Sequence, residues 1–250
     1  MSDKKVFISG SISIKSLNDD IIESIKNIVA KNYKILVGDA PGIDTMVQNL
    51  LVNLDYSNVE VYSIFSTPRY KASIKFKNKY INVSTEIKKE RERQTYKDKA
   101  MSEDSDFSFV IWDGKSKGSF ANILRAIETN KFVKIFYTEE GNFLDNTKIT
   151  KEEVEFIYRT HNGYTASEII DYLKSIGIET FKKTQELNKY LLENNIIKKE
   201  DKIYHPFEKY EDLFIIEQYK GKVKGVKFKN EFITWIEENI VKKPIQGELF

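Results

Sequence analysis

The chain has 250 residues, of which 40% are hydrophobic and 31% are charged, so it can bury a core and is not globally disordered. It has no cysteine, which excludes disulfides and cysteine-based zinc sites, and two histidines are too few for a histidine metal cluster. The net charge of +2 does not indicate a polycation. No apolar run reaches the roughly 20 residues of a membrane helix, and the first residues lack a secretory pattern. We therefore expect a cytoplasmic protein with no membrane contact, no metal and no cofactor.

Apolar runs alternate with helical patterns over the first 140 residues. Short strands are predicted at 6–9, 34–37, 59–65, 107–112 and 132–137. Helices are predicted after Asn18, from Ile43, around 90–101 and at 119–129. Residues 66–89 are basic and irregular, which predicts a flexible flap. This alternation indicates an α/β fold, a parallel sheet with helices on both faces.

The pattern changes after residue 140. Residues 141–149 are typical of a linker, and Thr165 with Glu168 forms a capping-box pair, as does Thr150 with Glu153. Further elements are predicted as helices at about 151–160, 166–175 and 180–194, a hairpin or wing at 196–205, and a last helix at 228–240. This order resembles a winged helix-turn-helix, so the second domain is predicted to be small and mainly α. We predict domains at 1–145 and 150–240, and an extended tail at 241–250.

Glycine- and serine-containing loops follow three of the predicted strands. In an open parallel sheet, ligands bind where the strands end. Glycines allow close backbone approach, and the helices that follow offer unpaired N–H groups to an anion. These loops and the polar helix after them predict a phosphate site; ordinary βα turns are the alternative. The candidate ligand-binding residues are Gly10, Ser11, Gly38, Gly42, Asp44, Arg91, Lys97, Asp113, Gly114, Lys115, Ser116, Gly118 and Ser119.

Aspartates near these loops are candidates for acid–base chemistry or for binding a ribose hydroxyl. We take Asp39 and Asp98 as the candidate catalytic residues, with solvated turn or helix residues as the alternative. Asp44 is also placed to cap its helix. Neither a Walker A loop nor GxGxxG is present, which disfavours an ATPase or a dinucleotide-dependent dehydrogenase.

Four segments resemble the SLOG superfamily of Rossmann-like nucleotide-binding domains over residues 1–140. They are FISGSISI, GDAPGID, ERERQTYKDKAM and SDFSFVIWDGKSKGS. The resemblance implies a Rossmann-like sheet, a nucleotide-derived ligand at the three loops, and a homodimer, which is common among such domains.

Two branches of this superfamily suggest alternative functions. The cytokinin-activating phosphoribohydrolases carry a catalytic glutamate in GGxGTxxE, where this chain has Asn122. An amide is not a general acid or base at neutral pH, so a nucleotide N-glycosidase or base-exchange enzyme would need another carboxylate, such as Asp39 or Asp98. The DNA-processing protein A family has a turn similar to Gly38 to Asp44, which implies single-stranded DNA binding as the other alternative.

Two features of the second half suggest macromolecular partners. Residues 165–206 resemble the small helical domain at the end of phage antirepressors. The side chains that would contact DNA are Lys182, Lys183, Gln185, Asn188 and Lys189. A basic run lies nearby, at Lys220, Lys222, Lys224, Lys227 and Lys229. Protein contacts, or merely a solvated lysine face, are the alternatives.

The last five residues, QGELF, resemble the bacterial sliding-clamp peptide, with Gln246, Leu249 and Phe250 as the anchors. A frayed terminus is the alternative. Together, these patterns predict a protein that recognises a nucleotide or nucleotide derivative in a DNA-associated context, such as replication, defence or phage biology.

Overall fold

The computed structural model describes residues 4–145 and 149–241. The chain divides into two compact units, Met1–Val154 and Glu155–Phe250. The tail anchors Gln246, Leu249 and Phe250 lie outside the described residues, so the sliding-clamp motif stays a prediction. Among the helices described, none combines the length and the apolar character that crossing a bilayer requires.

The first unit contains a seven-stranded sheet in the order β4-β3-β2-β1-β5-β6-β7. The strands are β1 (Lys5–Gly10), β2 (Lys34–Val37), β3 (Val59–Ser63), β4 (Lys77–Tyr80), β5 (Phe107–Trp112), β6 (Phe132–Tyr137) and β7 (Asn142–Phe143). β1 to β6 are parallel, and only β7 is antiparallel to its neighbour. The α/β fold predicted from the alternation is confirmed.

Helices cover both faces of this sheet. They are α1 (Asp19–Ala30), α2 (Ile43–Asn53), α3 (Glu90–Asp104) and α4 (Lys117–Glu128). Side chains alternate along each strand, so Ile8 packs in a core that contains α1 and α2 residues, whereas Phe7 packs in a core with Met101 of α3. Asn18 caps α1 and Ser116 caps α4, each through its side-chain oxygen.

The edge of the sheet differs from the sequence prediction. Residues 66–89 were expected to be irregular, but β4 lies within them and pairs with β3 from Glu60 with Lys77 to Ser63 with Tyr80. The side chains of β4 are exposed or half-buried, so the sequence lacks the alternation of apolar residues that predicts a strand. β7 similarly lies within the predicted linker.

The second unit combines helices with two antiparallel hairpins. Its first helices are α5 (Lys151–Asn162), α6 (Ala166–Ser175) and α7 (Thr184–Glu193). The first residues of α5 belong to the first unit. The hairpins are β8 (Ile197–Glu200) with β9 (Ile203–Pro206), and β10 (Phe214–Tyr219) with β11 (Lys222–Phe228). A 3₁₀ helix (Glu208–Leu213) precedes β10, and α8 (Asn230–Ile236) leads into a π-helical turn (Glu237–Val241).

The hairpin expected at 196–205 is present, but the β10–β11 hairpin was not predicted. The last helix begins at Asn230 rather than 228, because Phe228 ends β11 and pairs with Phe214. Leu187 and Leu191 of α7 and Phe232 of α8 are fully buried in the core of this unit.

Candidate functional site

A cleft of about 620 Å³ opens at the carboxyl edge of the parallel sheet. Its walls come from the ends of β1 and β2 and from α3 and α4. The sheet order changes direction between β1 and β5, so the connections after these two strands diverge there. Such a switch point is where open α/β sheets bind ligands.

The N-terminus of α4 forms one wall of the cleft. The backbone N–H groups of Lys117 and Gly118 have no hydrogen-bond acceptor within the described part of the chain, as expected for the first turn of a helix. A Cβ placed on Gly118 would meet nothing within 4 Å, so this backbone is open to a ligand. Ser119 lies behind it, with its Oγ 3.3 Å from that of Ser116 and 3.4 Å from that of Ser11. This wall can hold an anion.

The floor beside α4 is a buried polar chain. Asn122 donates from Nδ2 to the Oγ of Ser9, 3.2 Å away, and its Oδ1 accepts a hydrogen bond from Arg125. Ser9 and Asn122 are both buried. Asn122 therefore orients Arg125 along the cleft and has no acid–base role here.

The opposite wall is a mixed-charge cluster around the buried Lys97 ammonium of α3. Lys97 Nζ lies 3.7 Å from a carboxylate oxygen of Asp39 and 3.7 Å from one of Asp98. Burial raises the pKa of Asp44 to about 6, although the charge of Lys97 and the N–H of Ala40 oppose this rise. Burial likewise raises the pKa of Asp98, against the charges of Lys97 and Arg125. The cleft therefore contains two carboxyl groups that hold a proton more tightly than usual.

Asp44 does not cap its helix. The N-cap of α2 is Gly42, and the Asp44 carboxylate instead accepts the backbone N–H of Ala40 at 3.1 Å. This places the carboxyl group in the cleft wall beside Lys97.

Asp39 is fully buried and its oxygens are already engaged. They accept hydrogen bonds from the Arg69 guanidinium at 2.8 Å, from the Arg69 backbone N–H at 3.1 Å and from Ser63 Oγ at 2.7 Å. Burial alone would raise the pKa of Asp39, but the hydrogen bonds of Arg69 and Ser63 and the charge of Lys97 outweigh it, so the pKa is below its usual value. Asp39 thus holds Arg69, which lines the cleft and also pairs with Glu90.

Two glycines of the β2–α2 loop allow this packing. A Cβ on Gly38 would lie 2.2 Å from Asp44 Oδ2 and 2.8 Å from Lys97 Nζ. Gly42 has a φ of 87°, and a Cβ there would lie 2.9 Å from Ile12. Gly10 is similarly enclosed, because its Cβ would lie 2.6 Å from the carbonyl oxygen of Ile111.

The first part of the β5–α4 loop faces a separate cavity of about 420 Å³. Asp113 accepts the backbone N–H groups of Lys115 and Ser116 and the hydroxyl groups of Ser11 and Ser13. Burial opposes its ionisation, but the hydrogen bonds of Ser13, Ser116 and Ser11 outweigh this and lower the pKa of Asp113. Lys115 pairs with Glu139 at 2.7 Å. Gly114 supplies the positive φ of 72° for this turn.

The structure thus divides the sequence-predicted residues into three groups. Those that line the cleft are Gly10, Asp44, Arg91, Lys97, Asp98, Ser116, Gly118 and Ser119. The second group lies next to the lining residues without lining the cleft, and comprises Ser11, Gly38, Asp39 and Gly42. Asp113 and Lys115 line the neighbouring cavity, with Gly114 between them in the loop.

The polar residues that line the cleft but escaped sequence reasoning include Ser9, Arg69, Gln94, Lys117 and Arg125. Arg69 comes from the segment expected to be irregular. Two buried atoms of this set, Gln94 Oε1 and Arg125 Nε, have no hydrogen-bond partner in the described ranges. Unpaired buried polar atoms are costly, so their presence in the cleft wall points to a ligand that pairs with them. Within residues 4–145 and 149–241, no group of three or more histidines or acidic residues is arranged to hold a metal ion.

The candidate nucleic-acid residues lie at and before α7 in the second unit. Lys182, Lys183, Gln185 and Lys189 are exposed and Asn188 is half-buried. Lys189 pairs with Glu193 at 3.7 Å, and residues 166–206 hold seven lysines and seven acidic residues. The β10–β11 hairpin with Lys229 instead holds five lysines and one glutamate. The positive charge of this unit is therefore concentrated on the hairpin and not on α7.

No protein-family model and no curated protein matches the chain. One solved structure that the chain partly resembles is a molybdenum cofactor binding protein from the phototrophic bacterium Rippkaea orientalis, with a TM-score of 0.44 and 10% identity. That match covers 70% of this chain and 98% of the other. Another is DNA processing protein A from Helicobacter pylori, studied for its single-stranded DNA binding, with a TM-score of 0.41 and 14% identity over 77% of this chain and 81% of the other. Similarity this low carries no conclusion about function.

Proposed function

We propose that the cleft binds a nucleotide or nucleotide-derived ligand, with its phosphate at the N-terminus of α4. The strongest support is that one cleft contains several hydrogen-bond donors without an acceptor in the described part of the chain. These donors are the backbone N–H groups of Lys117 and Gly118 and the Nε of Arg125. Arg91 of α3 lines the same cleft and adds positive charge. A volume of about 620 Å³ lies in the range of small-molecule sites.

The test compares nucleoside 5′-monophosphates with the matching nucleosides by isothermal titration calorimetry. We expect loss of the phosphate to weaken binding at least ~10-fold, since charge-assisted hydrogen bonds are among the strongest polar contacts. Lys117→Ala removes an ammonium group from this wall and keeps the backbone N–H, so it is expected to weaken nucleotide binding in part. Lys115→Ala is its matched control, because Lys115 lies two residues earlier but pairs with Glu139 and lines the other cavity. Equal effects of the two substitutions, or no binding by any nucleotide, would contradict the proposal.

A second candidate is a nucleotide N-glycosidase or base-exchange enzyme. The pKa of Asp44, raised to about 6, supports it, because a carboxyl group with a pKa in this range can act as a general acid. Burial shifts the pKa of Asp98 in the same direction. In this reaction a water molecule or a second base adds to C1′ as the glycosidic C–N bond breaks. A protonated aspartate gives its proton to the departing base, and the incoming water or base then returns a proton to the aspartate. Asp39 does not suit this role, because its oxygens are occupied by Arg69 and Ser63.

Free base released from nucleoside monophosphates, measured by chromatography, tests this reaction. Release that Asp44→Asn abolishes would favour the enzyme over a simple binder. The absence of any released base across the common nucleotides would reject it.

We also propose a DNA-associated role, in which the second unit contacts nucleic acid. The four lysines of the β10–β11 hairpin, together with Lys229, support this role, because phosphate contacts dominate such affinity. Binding of single-stranded oligonucleotides through the cleft is the alternative. It predicts a salt-dependent affinity that Lys117→Ala reduces.

A further inference from the structure

The α2–α3 wall of the cleft carries the cations of Arg91 and Lys97 and, beside them, acceptor groups with few hydrogen-bond donors of their own. Asp98 receives no hydrogen bond within 3.5 Å from the residues described, and its nearest cation is Lys97 at 3.7 Å. Asp44 accepts one backbone N–H, through Oδ2 only. The Oε1 of Gln94, one helical turn before Asp98, is buried and unpaired. This wall therefore presents at least three acceptor groups to whatever occupies the cleft.

The acceptor groups and the free backbone donors lie at different parts of the cleft. The sheet order places β1 between β2 and β5, so the loop after β2 and the start of α4 lie on opposite sides of Gly10. The start of α4 offers backbone N–H donors at Lys117 and Gly118, whereas Asp44 follows the β2–α2 loop and Asp98 lies on α3 beside Lys97. A ligand with a phosphate at the start of α4 and hydroxyl groups directed at these carboxyl groups would use both sets.

We infer that the cleft selects ribonucleotides over deoxyribonucleotides, with the ribose hydroxyl groups donating to Asp98, Asp44 and Gln94 Oε1. This inference rests on the proposed binding of a nucleotide in the same cleft. A 2′-hydroxyl group supplies a donor that deoxyribose lacks. Without it, a buried acceptor stays unpaired, which a site built around hydrogen bonds penalises strongly.

The experiment measures binding of three nucleoside 5′-monophosphates that share one base and carry ribose, 2′-deoxyribose or 2′,3′-dideoxyribose. We expect the ribonucleotide to bind ~10- to 100-fold more tightly than the 2′-deoxy form, and the dideoxy form to bind no better than the latter. Asp98→Ala is expected to bring the ratio of ribo to 2′-deoxy affinity close to one, with little change for the dideoxy ligand. Asp98→Asn retains the shape and one acceptor, so it is expected to retain part of the ratio.

Asp55→Asn is the matched control, because Asp55 is an exposed carboxylate that pairs with Lys75 outside the cleft. It is expected to leave the ratio unchanged. Equal affinity for the ribo and deoxy ligands would overturn the selectivity and leave the nucleotide proposal standing. Failure of all three ligands to bind would instead overturn the nucleotide proposal and this inference with it. A ribose preference that Asp98→Ala leaves intact would overturn the assignment of Asp98.

Discussion

Asp39 lies in the β2–α2 loop and Asp44 lies in the first turn of α2, yet their surroundings shift their pKa values in opposite directions. Both lie near the charge of Lys97, Asp39 fully buried and Asp44 half-buried, and this charge alone would not separate them. The difference is the number of donors, because Asp39 accepts three hydrogen bonds from Arg69 and Ser63 and Asp44 accepts one from Ala40. Asp39 is therefore a fixed anion that positions Arg69, and Asp44 is the group that titrates.

Asp44→Asn is expected to stabilise the protein at about pH 8 and to have little effect at about pH 4. The folded pKa of about 6 lies above the unfolded value, so the stabilisation from the protonated carboxyl group is complete below about pH 4 and is lost as the pH rises through 6. The amide of asparagine does not titrate, so the variant avoids this loss, about 1–2 kcal/mol after allowance for partial exposure. Urea unfolding at both pH values measures it. A variant less stable than the parent at pH 8 would contradict the assignment.

Gly38→Ala is expected to weaken ligand binding more than it weakens the fold. The new Cβ would lie 2.2 Å from Asp44 Oδ2 and 2.8 Å from Lys97 Nζ, so both side chains must move away. We expect at least a ~10-fold loss of nucleotide affinity, measured by calorimetry, because displaced binding groups lose their hydrogen bonds. Gly225→Ala is the control, since a Cβ there meets nothing within 4 Å. Unchanged affinity in Gly38→Ala would show that the cluster does not touch the ligand.

The residues of the site were only partly predictable from sequence. Gly10 ends β1, Gly38 follows β2 and Ser119 lies in the first turn of the helix after β5, positions that local pattern reveals. Arg69 gave no signal, because its partner Asp39 is 30 positions away and the contact exists only in the folded chain. The sequence predicted Lys115 as a ligand-binding residue because its loop follows β5. In the structure Asp113 closes a local turn at Lys115, which pairs with Glu139 and lines the neighbouring cavity.

At the scale of elements, the strands with buried faces were predictable and the polar ones were not. Five of the six residues of β5 are buried, and its apolar sequence predicts a strand. β4 has the sequence KNKY, and it pairs with β3 through backbone hydrogen bonds and through Lys79, whose ammonium contacts Tyr62. The β10–β11 hairpin was not predicted for a similar reason. Its lysines indicated only a basic run and no strand.

The hairpin, and not α7, is expected to provide the charge for nucleic-acid contact. The double substitution Lys222→Ala/Lys224→Ala should weaken binding of a duplex oligonucleotide and reduce the slope of log affinity against log salt by about two. Lys182→Ala/Lys183→Ala is the matched change at the start of α7, and it should have a smaller effect on affinity, because acidic residues balance that segment. Fluorescence anisotropy at several salt concentrations measures both. A larger effect at α7 would favour a recognition helix.

At the scale of the whole molecule, the two units have separate buried cores. In the described residues, the cores around Ile8 and Phe7 share no side chain with the core around Phe232. Scanning calorimetry is therefore expected to resolve two unfolding transitions, and a nucleotide should raise only the one that belongs to residues 1–154. At 100 times the dissociation constant, this linkage is worth about 2.7 kcal/mol. A nucleotide that shifts both transitions equally would contradict a site confined to the first unit.

The most direct test is a crystal structure of the protein grown with a nucleoside 5′-monophosphate. We predict phosphate oxygens within hydrogen-bond distance of the Lys117 and Gly118 N–H groups, and the sugar facing Asp98. An empty cleft in crystals saturated with nucleotide, or a phosphate seated on the Asp44 side, would contradict this account.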